Sequence, residues 1–214
     1  MDRDQAAAAP PQVAVTPWSA SVATITWWGA AAAVLAPMIF AAGWVLGAHL
    51  QPPGYDPVSQ TISALAARTT PHRWVMTGAL VLTGICQVLT AAGLRPAARP
   101  GRLLLGVGGV CTLAVGLAPL PDIHTTSAVH TGVAAVAFAA LASWPLASWG
   151  RWPRAPWGLR RAPALTAGLL LLAAVCWLLV SATTGGGAVG VAERVAAGGQ
   201  TVWPCVVALS VLWA

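Results

Sequence analysis

Six apolar stretches, each long enough to cross a bilayer and nearly free of charge, take up almost all of the chain after Thr26. They run from Ile25 to His49, Trp74 to Leu94, Leu103 to Leu120, Ser127 to Trp149 and Ala164 to Ser181, with the last from near Ala192 to Ala214. A spanning helix needs about 20 apolar residues. Only 7% of the 214 residues are charged, against about 25% in a soluble domain. Such a chain cannot solvate an ordinary protein surface, so lipid is its solvent. In lipid every backbone polar group must find a partner within the protein, and a helix achieves this segment by segment. The expected fold is therefore all-α, a polytopic bundle of six transmembrane helices.

Ahead of the bundle, residues 1–23 are rich in Ala, Pro and Gln and show no periodicity. They read as a disordered tail, with the transmembrane domain covering residues 24–214. A signal peptide does not fit, because the tail is not basic and the first apolar stretch is too long. The formal charge of +6 does not indicate a nucleic-acid partner. Lysine is absent, and the arginines are divided among short connections, which is a topological pattern.

The arginines set the expected orientation. Arg95, Arg99, Arg102, Arg151, Arg154, Arg160 and Arg161 lie in the second and fourth connections, with Arg3 in the tail. Arg68, Arg73 and Arg194 lie on the opposite side. The richer side should be cytoplasmic. Both termini are then expected in the cytoplasm of an inner-membrane protein, with the odd-numbered connections facing outward.

Trp27, Trp28, Trp74, Trp149, Trp152 and Trp157 fall near helix ends, as an interfacial belt requires. Cys86, Cys111, Cys176 and Cys205 lie within apolar stretches, without a CxxC, and read as small buried residues. Glycines crowd the third stretch, where close helix packing is expected.

The outward side gathers the groups that carry chemistry. In the first connection, Asp56 followed by Pro57 reads as a helix start. A short interfacial helix is expected from Pro57 to about Ala67, with Ser59 and Ser63 on one side of it. In the third connection, Asp122 and His124 precede His130, which should lie one turn inside the fourth helix. An ionisable residue at that depth is costly and points to function. In the fifth, Glu193 and Arg194 stand at the mouth of the sixth helix, with Gln200 two turns deeper on the Glu193 face. The plain structural roles are capping for Asp56 and Glu193, and a neutral hydrogen bond to a neighbouring helix for His130.

Taken together, His130, Asp122, Glu193 and Asp56 are candidate acid–base residues. Ser59, Ser63, Arg194 and His124 are candidate substrate contacts. A divalent metal on His130, Asp122 and Glu193 is a further option, although no HExxH, GxSxG, Walker or CxxC motif calls for a cofactor.

The order of these motifs resembles a widespread prokaryotic membrane family catalogued as domain of unknown function nine-nine-eight. The resemblance rests on the six-helix layout, the run Tyr55-Asp56-Pro57-Val58-Ser59-Gln60-Thr61-Ile62-Ser63, the Pro121-Asp122…His130 element and the late Glu193-Arg194. It implies fold and membrane location but no reaction. A more distant similarity is to the superfamily of alkaline ceramidases and progestin-receptor-like proteins, in which a serine, an aspartate and histidines surround zinc. It implies comparable parts for Ser59 or Ser63, Asp122 and His130. The present chain departs from it in having six helices rather than seven and in lacking a paired-histidine HxxxH in the last helix, where Glu193 would have to substitute.

Three functions follow from this pattern. The leading one is a membrane-embedded enzyme acting on a lipid or isoprenoid-like molecule at the outer leaflet, by acid–base or metal-assisted chemistry. The alternatives are a non-catalytic assembly or sensor protein and a small transporter. A transporter needs polar groups through the whole bilayer, and the inner halves of these helices offer little beyond Gln87 and Thr90.

Overall fold

The structure is a computed structural model that describes residues 24–150, 155–185 and 187–214. The expected tail over residues 1–23, with Arg3, and the connection residues Arg151, Trp152 and Arg154 lie outside the described residues. Among the described residues seven α-helices are formed: α1 (Trp27–His49), α2 (Ile62–Leu65), α3 (Trp74–Gly93), α4 (Arg99–Leu117), α5 (Ala128–Ser148), α6 (Arg161–Thr184) and α7 (Val189–Leu212). All but α2 are long and apolar enough to cross a membrane, so the molecule is a multi-pass, six-helix membrane bundle.

Each span packs chiefly against its neighbours in the chain, and α7 closes the ring against α1. Helix association in lipid rests on close packing rather than on hydrophobic transfer, and the α3–α4 seam shows how. A Cβ at Gly84 would lie 2.6 Å from the Gly109 carbonyl oxygen, and one at Gly109 would lie 2.9 Å from the Gly84 oxygen. Any larger residue at either site would force these backbones apart.

The helix ends follow local chemistry. Thr26 caps α1 by accepting from the Gly29 N–H at 3.2 Å, and Ser127 caps α5 through the His130 N–H. The expected start of the third span at Leu103 is one turn late. Helix α4 begins at Arg99, because Pro100 fits the first turn, where its missing N–H is not needed. It stops at Leu117, just before Pro119 and Pro121, rather than reaching Leu120. Helices α6 and α7 also start about one turn earlier than expected, at Arg161 and Val189. The cysteines are all free, but of the four expected to be buried only Cys86 is; Cys111 and Cys205 are half-buried and Cys176 is exposed.

The short helix after Asp56 is corrected most. It spans only Ile62–Leu65, and its cap is Thr61, whose hydroxyl accepts from the Ala64 N–H at 3.1 Å. Asp56 instead caps the preceding turn, accepting from the N–H groups of Val58 and Ser59 at 3.0 and 3.2 Å. Four residues of sequence separation therefore do not place Ser59 and Ser63 on one helical face.

Candidate functional site

The connection between α1 and α3 is held against the start of α7 by two adjacent side chains of opposite charge. Arg194 donates from Nη1 to the carbonyl oxygens of Pro57, Gln60 and Gly190 at 2.8, 2.9 and 2.9 Å. Its Nη2 donates to the Tyr55 hydroxyl. Glu193 takes the complementary groups: it accepts from the backbone N–H groups of Ile62 and Ser63 and, at 2.8 Å, from the Ser63 hydroxyl. The guanidinium thus collects carbonyls where the turn ends, and the carboxylate collects the amides where α2 begins. Gly190 permits the approach, because a methyl group there would collide with the carbonyl oxygens of Gln60 and Pro57. Its N–H and that of Val191 donate to the Val58 carbonyl. Burial raises the Tyr55 hydroxyl pKa above its usual value, with the Arg194 charge and hydrogen bond working against that rise.

Glu193 is 7% exposed, and it faces inward. Beneath α2 lies a partly open cavity of ≈ 60 Å³, whereas one water needs roughly 10–15 Å³ on that measure. Phe40, Ile62, Leu80, Val115, Phe138 and Leu141 make much of its apolar wall. Its polar groups come from Ser63, Thr83, Gln87, Thr112, Glu193, Gln200 and Thr201. Its lining, mostly apolar with a few convergent polar groups, is that of a small-molecule site, while its volume is several times smaller than the roughly 300–1,000 Å³ of a drug-sized pocket. The expected shared face of Glu193 and Gln200 is present, since both line this cavity.

The other candidates lie elsewhere. His130 is buried, at 5% exposure, but it does not line the cavity. Its Nδ1 is 2.8 Å from the Ala118 carbonyl oxygen, so it closes the open end of α4. Asp122 accepts from the N–H groups of His124 and Thr125 and from the Thr125 hydroxyl at 2.7, 2.9 and 2.7 Å. It shapes its own turn, and the Thr125 hydroxyl bond is the main reason its pKa lies below the usual carboxylate value. His124 is exposed. Asp56 is likewise engaged locally, accepting from the Ser59 hydroxyl at 2.5 Å, and that bond is the largest cause of its lowered pKa.

The proposed grouping is therefore divided. Glu193, Ser63 and Arg194 come together, whereas Asp56 with Ser59 and Asp122 with His124 form separate surface turns. No hydrogen bond among the described residues joins His130 to any of the three carboxylates. Nor do any three His, Cys, Asp or Glu side chains among the described residues gather closely enough to hold a metal ion. His130, Asp122 and Glu193 are thus not brought together as a ligand set. Sequence reasoning missed Tyr55 and Gly190 as docking groups and Thr83 and Gln87 as cavity groups. An amide and a hydroxyl four residues apart on one face of a largely apolar helix were the available signal for the last two.

No curated protein and no solved structure matches the chain. A family model does, over residues 34–210, which include Glu193, Arg194, the residues they bond and every group of the cavity wall. With most of its length matched, the chain belongs to the DUF998 family, described as a protein of unknown function.

Proposed function

We propose that the protein is a membrane-embedded enzyme that acts on a lipid or isoprenoid-like molecule, with Glu193 as its acid–base group and Ser63 as the hydroxyl that meets the substrate. The observation that carries this reading is the Ser63–Glu193 pair. The hydroxyl donates to the carboxylate at 2.8 Å, and both residues line the same cavity. A hydroxyl within hydrogen-bond reach of a base is the arrangement that nucleophilic catalysis requires. For an ester substrate, the Ser63 oxygen bonds to the acyl carbon while its proton passes to Glu193. Glu193 returns the proton to the departing alcohol, and water then releases the acyl group. The apolar wall suits a chain-bearing substrate entering from the bilayer. The excess of arginine at the opposite end supports an outward-facing site in the cytoplasmic membrane.

A second reading draws on the same contacts. Both oxygens of Glu193 accept from the 62–63 backbone and Ser63, which is also what a purely structural latch would do. In that case the protein is a non-catalytic binding or sensor module.

Turnover separates the two. The purified protein in nanodiscs is incubated with a panel of glycerolipid esters and long-chain isoprenyl esters, and products are followed by mass spectrometry. The enzyme reading expects conversion of at least one ester class, lowered about 100-fold or more in Glu193→Gln and in Ser63→Ala. Conversion that survives both substitutions in folded protein contradicts it. Ester binding without any conversion favours the second reading.

A further inference from the structure

Five of the seven polar side chains on the cavity wall have partners within the protein. Ser63 and Glu193 bond to each other, Thr112 donates to the Gly108 carbonyl, Gln200 to that of Phe138, and Thr201 to that of Gly198. The remaining two do not. Gln87 has no protein partner for either Nε2 or Oε1, and Thr83 has none for Oγ1. Gln87 is 1% exposed and Thr83 is 0% exposed. Four residues apart, they share one face of α3. An amide held in an apolar wall with both of its functions unmatched is costly, so its position points to a ligand.

The kind of ligand follows from depth and size. At roughly 1.5 Å per residue, Gln87 lies about 20 Å along α3 from Trp74, while Glu193 lies about 6 Å along α7 from Val189. Both helices start at the end of the bundle that carries α2. The Gln87 subsite is thus well inside the apolar layer, where a charged group would be expensive. Gln87 presents donors at Nε2 and an acceptor at Oε1, and it asks for a group that can both donate and accept. In a cavity of ≈ 60 Å³, a hydroxyl is the smallest group that meets this demand.

We propose that Gln87 and Thr83 form a deep subsite for the hydroxyl group of a lipophilic alcohol, whose chain lies among the apolar wall residues. The bound hydroxyl donates to Gln87 Oε1 and accepts from Gln87 Nε2 or the Thr83 hydroxyl. This rests on the reading of the cavity as a lipophile site, and it specifies which polar group that lipophile carries.

The test compares dodecanol with its isomer undecyl methyl ether, which accepts but cannot donate. Binding of each to the full-length protein is measured by native mass spectrometry from detergent micelles. The native protein should favour the alcohol about tenfold, the worth of one buried hydrogen bond. Gln87→Leu should abolish that preference and leave ether binding within about twofold of the native value. Gln87→Met, nearly the same shape without the amide, serves the same purpose if Gln87→Leu does not fold. Equal binding of the two isomers to the native protein overturns the hydroxyl subsite while leaving the lipophile site standing. So does a Gln87→Leu variant that keeps the preference. Binding of neither isomer overturns both readings.

Discussion

Two regions at the α2 end of the bundle carry the same kinds of residue and use them differently. In the α4–α5 connection, Asp122 and His130 are each engaged with backbone nearby: Asp122 holds its own turn, and His130 closes the end of α4. At the α7 start, Glu193 and Arg194 reach across to residues 55–63, and Glu193 also faces a cavity. A His or a carboxylate near a membrane interface is therefore not evidence of a site by itself. What separates the two regions is sequence distance between partners and what lies on the other side of the side chain. Local bonds make a turn, while long-range bonds beside a cavity make a candidate site.

The largest difference should appear when Arg194 is removed. Arg194→Ala leaves the carbonyls of Pro57 and Gln60 and the Tyr55 hydroxyl without their shared donor. A loss of about 3 kcal/mol is expected, read as a lower unfolding midpoint in detergent and as faster proteolysis of the 50–70 segment. Gly190→Ala should act through the same contact by forcing the turn off α7, at about 1–3 kcal/mol. A Gly190→Ala protein as stable as the native one would show that the two segments are not docked as described.

His130→Ala should cost less, about 1 kcal/mol for the lost bond to Ala118, and it should leave lipophile binding unchanged. If that variant folds but no longer binds lipophile, the contrast between the regions is lost and His130 returns to the site.

The smallest effect is one of pH. Asp56 and Asp122 are held below their usual pKa of 3.8 by hydrogen bonds to their own turns. A depressed carboxyl pKa stabilises the fold above the unfolded value, and this is lost as pH falls through the folded value. Both turns should loosen only below about pH 4, seen as faster amide exchange at Val58, Ser59, His124 and Thr125. Loosening near neutral pH would contradict their assignment as capped turns.

Much of this was legible in the sequence. Six apolar runs and a scarcity of charge identified the bundle, because no other fold satisfies the backbone of such segments in lipid. Helix ends were less legible, as at Arg99, where a proline and a charged residue in the first turn look like loop but suit a helix start. Glu193 and Ser63 were identifiable as polar groups at one membrane level. Their pairing was not, since Asp56-Pro57 pointed to a helix one turn too early and so joined Ser63 to Ser59 instead. Thr83 and Gln87 carried a weak signal, because a threonine or glutamine within a span more often bonds to a neighbouring helix. Only the bundle shows that these two do not.

Orientation can be sharpened independently. In a cysteine-free background, Thr69→Cys should react with an impermeant maleimide on intact cells, and Arg95→Cys should react only after lysis. The opposite pattern would place the α2 end of the bundle in the cytoplasm.

The central claim, that the cavity under α2 receives a lipophile, is tested most directly by photocrosslinking. A long-chain alcohol carrying a diazirine along its chain is added to the protein in nanodiscs, irradiated, and mapped by peptide mass spectrometry. The account predicts that excess unlabelled alcohol suppresses labelling on the cavity wall of α4 and α5, at Thr112, Ala134 and Phe138. Labelling of the exposed face of α6, at Leu169 and Leu170, should not be suppressed. Labelling confined to the exposed helix surfaces, with no competable signal on α4 or α5, would contradict it.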